Sequence, residues 1–442
     1  MSQSSDTNMQ LEEVIAEFHK LGLPEIIERE IELPLDMNKA VTVIGLRRTG
    51  KTFLLYQTIQ NLIKRGKDIK EMFYINFEDE RLSGISSEGL SKIVELYRKH
   101  NPDSKTMYLF LDEIQVVDGW ERFVRRLLER RDVRIFITGS SSRFLSKEIA
   151  SSLRGRSLSY HLFPLSFWEF LRFKGEDFKE PFIEDDRGRI KARLDEYIKF
   201  GGFPELTGYS GIGSETLKIR TLQEYLDLII YKDLVERYGI EKTGVMKALI
   251  RVIVKNFGNR ISINRLSNVL YSGGASISKN KVYEYFSYLE DIGFVIPVRR
   301  FTYSEMKSFR SIPKLYLIDT GFPTMYGLED MGRRIENIVA VELLRRRAYR
   351  NPSEEIHYYL ERNKKEVDFV RSVGGKVKEL IQVSYTIEDE NTKKREITAL
   401  ISASKELKCK NLTIITSDYE GKKDVEGKRI KYIPLWKWLL EM

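Results

Sequence analysis

An α/β fold organised around a parallel sheet is what this 442-residue sequence predicts, and three observations predict it. Strand-like and helix-like patterns alternate from residue 41 to about 163. The run GLRRTGKT, Gly45 to Thr52, joins the first of these strands to the first helix. The run MYLFLDE, Met107 to Glu113, reads as a second buried strand that ends in two acids. Repeated alternation puts helices on both faces of parallel strands. Ligands then gather at the carboxyl ends of the strands, where both motifs fall.

Residues 1–40 form an acidic N-terminal segment of net charge −6. The first strand, 41–45, is apolar and β-branched (Val41, Thr42, Val43, Ile44) and runs into an octet matching G-x-x-x-x-G-K-[ST]. Gly45 and Gly50 let the backbone curl so that N–H groups, those of Arg48 and Thr49 among them, point at phosphate oxygens. The positive end of the next helix stands behind them. Lys51 reaches the β and γ phosphates, and the Thr52 hydroxyl suits Mg²⁺, which prefers hard oxygen ligands. Phe53 opens a helix over 53–65, apolar at helical spacing, and closes the set of nucleotide contacts. The bound nucleotide is expected to be ATP with Mg²⁺.

A strand over 71–77 and a helix over 88–99 lead to the strand 107–112. Asp112 at its end is a ligand for Mg²⁺ beside Thr52, and Glu113 suits orientation of an attacking water. In the helix 120–130, Arg122, Arg125, Arg126, Arg130 and Arg131 read as a solvated or subunit-facing surface. The strand 133–138 runs into Gly139 and Ser140, and a hydroxyl there, that of Ser140, is placed to sense the γ-phosphate or hold the water. A strand over 158–163 completes a core domain, 41–165.

From Phe163 to about Tyr238 the pattern is helical, broken by the turn Gly201-Gly202-Phe203-Pro204, and 166–244 reads as a helical lid. Helices over 246–256 and 263–270, a break at Ser272-Gly273-Gly274, a helix from Ser278 to Asp291 and a strand from Phe294 to Val298 make a winged helix-turn-helix pattern within 245–312. Ser278 can cap the last helix and Gly293 can end it. Nine basic residues against three acidic ones fill 245–300. Arg265, Ser278, Lys279, Asn280, Lys281 and Tyr283 lie where a recognition helix meets nucleic acid, so DNA is the expected partner. From residue 313 to 442 strands (314–318, 356–360, 365–371, 377–385, 412–416, 431–433) and helices (336–349, 393–406) alternate again, enough for a second α/β domain.

Composition bounds the rest. The net charge is +9, spread as +7 over 41–165, +2 over 166–330 and +6 over 331–442. This is compatible with nucleic acid. One cysteine, Cys409, and four histidines exclude an internal disulfide framework and a His/Cys metal cluster. No stretch approaches 18 consecutive apolar residues, and the start MSQSSDTN lacks the apolar core of a signal peptide, so the expectation is a cytoplasmic protein with no membrane partner. Few Cys and Gln beside many Lys, Arg and Glu is a thermophile's composition.

GLRRTGKT, YINFEDERL at 74–82, LFLDEIQ at 109–115, TGSSS at 138–142, LRGR at 153–156, LFPLSFWEF at 162–170 and GGFPE at 201–205 resemble the archaeal and bacterial AAA-type P-loop ATPases that carry a C-terminal restriction-endonuclease-like domain. KLYLIDTGF at 314–322 and EVDFV at 366–370 match the C-terminal half of that family, and the resemblance covers about residues 20–440. It implies an ATPase core, a winged-helix connector and a nuclease-type fold. It also marks Arg156, and next Arg154, as an arginine finger that reaches a neighbouring subunit's nucleotide, which requires an oligomer. Nucleases of the PD-(D/E)xK type set a helical Glu, a strand Asp and an E-x-K triplet around Mg²⁺. Glu342 and Asp368 match the first two positions, while the third reads Gln382-Val383-Ser384. Lys378 lies four residues before Gln382 and is a candidate stand-in for the missing cation. The departure predicts weak or absent cleavage. Two functions follow: an oligomeric ATPase coupling turnover to DNA binding or remodelling, or an ATP-gated switch or scaffold acting on a protein partner.

Overall fold

The computed structural model describes residues 2–139, 153–178, 184–361, 365–385 and 390–441. They divide into two compact units, Met1–Leu162 and Phe163–Met442. In the first, β1 (Ala40–Ile44), β2 (Met72–Asn76), β3 (Met107–Asp112), β4 (Val133–Gly139) and β5 (Ser157–His161) form one sheet in the order β2-β3-β4-β1-β5. Every neighbouring pair is parallel. β1 and β3 are buried along their whole length, as strands covered on both faces must be. Register puts Phe110 beside Phe136, and their rings stack 4.6 Å apart.

The helices Lys51–Lys64, Ser87–His100 and Trp120–Leu128 connect these strands. Ser86 caps the second by accepting from the Gly89 N–H. The acidic N-terminal segment contains a helix, Ser2–Leu21, whose Leu11, Val14 and Ile15 are buried in the same core as Phe73, Leu90 and Val124. Those three recur at helical spacing, so an apolar stripe anchors an otherwise charged helix.

The second unit starts with the helices Phe167–Phe173, Glu184–Phe200 and Ser214–Leu228, the last continuing as a π-helical stretch, Ile229–Glu236. Ser166 and Glu169 close a capping box at the first of them. Three helices follow, Thr243–Lys255, Ile263–Ser272 and Lys279–Asp291, then an antiparallel pair, β6 (Val295–Val298) with β7 (Lys314–Leu317). Ser278 caps the third helix. At its other end Gly293 takes φ 75°, and the Phe294 N–H reaches back to the Leu289 carbonyl.

The helix Met331–Tyr349 precedes a six-stranded sheet of β8 (Glu354–Leu360), β9 (Glu366–Val373), β10 (Lys376–Ser384), β11 (Leu412–Thr416), β12 (Gly421–Val425) and β13 (Lys428–Pro434). Its order is β12-β13-β11-β10-β9-β8, parallel from β10 through β11 to β13 and antiparallel elsewhere. The helix Glu390–Glu406 covers one face, with Leu400 and Ile401 packed on Val370, Leu380 and Ile414. β12 is absent from the sequence reading because Lys422, Lys423 and Asp424 are exposed and charged, the usual dressing of an edge strand. The helix Leu435–Leu440 is too short to show a period. Among the described residues no helix is long and apolar enough to cross a membrane.

One buried carboxylate ties the Gly201-Gly202 turn to the chain around residue 320. Asp319 accepts from the Gly202 N–H at 2.7 Å and from the Gly321 N–H at 2.8 Å, and burial pushes its carboxyl up to about 7. Gly201 has φ 77°, and a Cβ there would overlap Asp319 Oδ1. Strain and overlap together should make Gly201→Ala cost about 3 kcal/mol or more. Gly211→Ala, with φ 81° and open space around its Cβ, should cost only about 1 kcal/mol. Urea titrations of both variants check this, and equal losses would remove the role given to Asp319.

Candidate functional site

The phosphate-loop residues lie at the carboxyl end of β1. Gly45 is required because a Cβ would overlap the Leu162 carbonyl oxygen. Arg48 and Gly50 take left-handed backbone angles, φ 66° and 93°, which curl the loop, and the Thr49 hydroxyl donates to the Leu46 carbonyl at 2.8 Å. The helix Lys51–Lys64 begins with no side-chain cap, so its first N–H groups suit an anion. Phe53, one turn in, is exposed and meets Tyr56 edge-on.

Lys51 is 6% exposed. Its ammonium lies 3.3 Å from both the Gly45 and Leu46 carbonyls and 3.6 Å from Glu113 Oε1. These are mostly neutral partners, and a phosphate oxygen is a stronger one. Asp112 accepts three hydroxyls: Thr52 at 2.7 Å and Tyr74 at 2.8 Å on Oδ2, and Thr138 on Oδ1. Burial raises the Asp112 carboxyl above its ordinary range, against the hydroxyls of Thr138 and Thr52. Thr52 and Asp112 therefore present adjacent hard oxygens, the donor set Mg²⁺ prefers. Glu113 follows with φ 51°. Its N–H donates to the Thr138 hydroxyl at 2.9 Å, and its carboxylate accepts from the Gln115 amide.

Four residues of this site escaped the sequence reading. Tyr74 stands two residues before Asn76, which pairs with Asp112 across β2 and β3, so Tyr74 and Asp112 share a face. Thr138 belongs to the same TGSSS run as Ser140, which lies outside the described residues. Gln115 sits two positions beyond Glu113. Arg29 is far off in sequence, yet its guanidinium donates to the Thr49 carbonyl at 2.7 Å and its N–H to Gln57 Oε1 at 2.7 Å. Within one chain Arg154 and Arg156 are not part of the site. Both are exposed, Arg156 lies 3.4 Å from Glu129, and its carbonyl accepts from the Ala40 N–H. That places it at the start of β1, about 15 Å of strand from the phosphate loop.

The residues expected to meet nucleic acid are on the helices Ile263–Ser272 and Lys279–Asp291. Arg265, Ser278, Lys279, Asn280, Lys281 and Tyr283 are all exposed. Ser278 spends its hydroxyl on the Lys281 N–H, and Lys281 pairs with Glu284 at 2.8 Å. Much of the surrounding positive charge is also engaged. Lys247 meets Asp227 at 3.2 Å, Arg260 meets Glu366 at 3.2 Å, and Arg299 and Arg300 donate to the Phe309 and Leu360 carbonyls.

Of the second carboxylate set, Glu342 with Asp368 and Gln382, the helical member is corrected. Glu342 pairs with Arg345 and, at 2.7 Å, with Arg346. The helical carboxylate beside Asp368 is Glu336, six residues earlier and on another face of the same helix, since six residues advance about 600°. Lys314 at the start of β7 lies 2.6 Å from Glu336, 2.8 Å from Glu366 and 3.1 Å from Asp368. Burial alone would lower the Lys314 pKa, but these carboxylates and Tyr316 hold it well above the ordinary value. Lys378, the suggested stand-in cation, is exposed beside a bulge in β10, whereas Gln382 is buried.

Comparison with known proteins places these features. Residues 37–171 match a family described as an AAA domain, and 191–330 and 331–438 match two domains of unknown function, DUF8612 and DUF4143. The whole chain is 40% identical to the uncharacterized protein MJ1544 of Methanocaldococcus jannaschii, covering 97% of it. It is 28% identical over 89% of its length to an uncharacterized protein of Haemophilus influenzae, covering 93% of that protein. Among solved structures, the Walker-type ATPase paby2304 of Pyrococcus abyssi aligns with 72% of this chain and 94% of its own, at 13% identity and a TM-score of 0.42.

The geometry separates two variants. Lys51→Ala should weaken binding of a fluorescent ATP analogue about 100-fold, the worth of its charged bonds to phosphate. Glu113→Gln should leave that affinity within about threefold and lower turnover by 100-fold or more. Equal loss of affinity in both would remove the role given to Glu113.

Proposed function

For a chain that belongs to the family of M. jannaschii MJ1544 and carries an AAA-type P-loop ATPase domain, we propose an oligomeric, Mg²⁺-dependent ATPase that couples ATP turnover to DNA binding or remodelling. The observation that carries the ATPase part of this reading is the connected set Lys51–Glu113 and Thr52–Asp112–Thr138 at the ends of β1, β3 and β4. Thr52 and Asp112 are the residues to hold Mg²⁺, which supplies charge neutralisation on the β and γ phosphates. Lys51 exchanges its carbonyl partners for phosphate oxygens. Glu113, released from Lys51 and Gln115, orients the attacking water.

The domain reading is a lid over 166–244, a winged helix over 245–312 and a restriction-endonuclease-like domain over 313–442. Three helices followed by β6 support the second, with β6 pairing to β7 just beyond its boundary. A mixed sheet with a carboxylate on β9 and another on the preceding helix supports the third. Arg156, exposed and remote from its own phosphate loop, fits a finger acting on a second copy. A switch acting on a protein partner is the other reading, favoured by the internal pairing of Lys247, Arg260 and Lys281.

Two experiments test the proposal. Arg156→Ala should bind ATP normally and hydrolyse it poorly, and mixing it with Lys51→Ala should restore part of the activity. A monomer hydrolysing at full rate would exclude a finger in trans. Hydrolysis should also rise severalfold or more with single-stranded, duplex or branched DNA. Arg265→Ala with Lys279→Ala should weaken DNA binding and lower its salt slope by about two units, more than Lys281→Ala does. No stimulation and an unchanged slope would favour the switch.

A further inference from the structure

The nuclease-type reading of residues 313–442 implies a divalent metal between a helical carboxylate and the strands β9 and β10. The residues present do not fit one. Lys314 is 3% exposed, and its ammonium reaches Glu336 Oε1, Glu366 Oε1 and Asp368 Oδ1, all within 3.1 Å. An ammonium has three donors, and here each has a carboxylate. Two of the outer oxygens are also taken: the Val383 N–H donates to Asp368 Oδ2 at 3.0 Å, and Arg260 lies 3.2 Å from Glu366 Oε2, while the Tyr316 hydroxyl donates at 2.5 Å to the same Glu336 Oε1 that Lys314 meets. Ile381 pairs with Phe369 in the β9–β10 ladder, so Gln382 stands opposite Asp368 on the same face. Its buried Oε1 has no hydrogen-bond partner among the described residues. Among those residues no group of three or more His, Cys, Asp or Glu is arranged to hold a metal.

We propose that Lys314 is the resident cation of this centre: its ammonium occupies the place among Glu336, Glu366, Asp368 and Gln382 that a divalent metal takes in a nuclease. The inference rests on the nuclease-type reading of this domain and adds the reason for its inactivity. A metal can enter only by evicting a buried ammonium, which would leave that charge without counter-ions. Gln382 in place of a carboxylate spares the set a fourth negative charge beside only two cations, Lys314 and Arg260. A nuclease lysine stands beside the metal and steadies water, whereas Lys314 is chemically closed, with every donor engaged. The domain is then a rigid, metal-free scaffold.

Titration of the full chain with Mn²⁺, without nucleotide and followed by the electron paramagnetic resonance of free Mn²⁺, tests this. Mn²⁺ held by Thr52 and Asp112 is common to wild type and every variant at 314 and 368 and cancels in the comparison, so this result and the ATPase reading stand or fall separately. Wild type and Asp368→Asn should give superimposable curves, and millimolar Mn²⁺ should not shift the wild-type Tm. Lys314→Ala should gain one site, bound about tenfold or more tighter than anything in wild type, and Lys314→Ala with Asp368→Asn should lose it. Wild-type uptake abolished by Asp368→Asn would overturn the proposal, even if Lys314→Ala does not fold. A folded Lys314→Ala that gains no site would overturn it too, leaving an ordinary ion-pair cluster.

Discussion

A lysine ammonium buried away from water must be surrounded by oxygens, and this constraint shapes the chemistry of both units. Lys51 and Lys314 are 6% and 3% exposed. The partners of Lys51 are two main-chain carbonyls at 3.3 Å and one carboxylate at 3.6 Å. That is enough to hold the charge and too little to compete with a triphosphate. Lys314 has three carboxylates within 3.1 Å. Nothing arriving from solvent offers it more, and removing the ammonium would leave three clustered carboxylates without it. One lysine is therefore poised to change partners while the other is fixed.

Legibility in sequence followed how local each interaction is. Phosphate binding by backbone N–H groups needs a contiguous loop, so Gly45 to Thr52 could be read directly, as could Asp112 at the end of a continuous apolar strand. Tyr74 and Thr138, which bind the two oxygens of Asp112, come from neighbouring strands, and only the sheet order brings them there. Arg29 reaches the loop from the N-terminal segment, where no periodic pattern pointed to it. In the second unit Glu336 and Glu342 lie on one helix in similar apolar surroundings. Choosing between them requires knowing which face meets β7, and that depends on packing. Lys314 opens the apolar run KLYLI, where a lysine reads as an ordinary solvated strand start.

Charge counting in sequence proved coarser still. The excess of six positive charges in residues 245–300 suggested an open basic face. In the fold Lys247, Arg260 and Lys281 have carboxylates within 3.2 Å, and Arg299 and Arg300 are turned onto main-chain carbonyls. Exposed pairs of this kind are each worth little to stability. They nevertheless lower the charge a polyanion would meet, which concentrates the DNA reading on Arg265, Lys279 and the start of the helix Lys279–Asp291.

On the proposed function, divalent-metal chemistry belongs to the first unit alone. A structure of the full chain with Mg²⁺ and a non-hydrolysable ATP analogue tests that most directly. Lys51 should leave Gly45, Leu46 and Glu113 for the β and γ phosphates, and one Mg²⁺ should lie between Thr52 and Asp112. Lys314 should keep Glu336, Glu366 and Asp368 with no metal among them. A triphosphate bound away from the loop at 45–52, or a metal between Glu336 and Asp368 with Lys314 displaced, would contradict it.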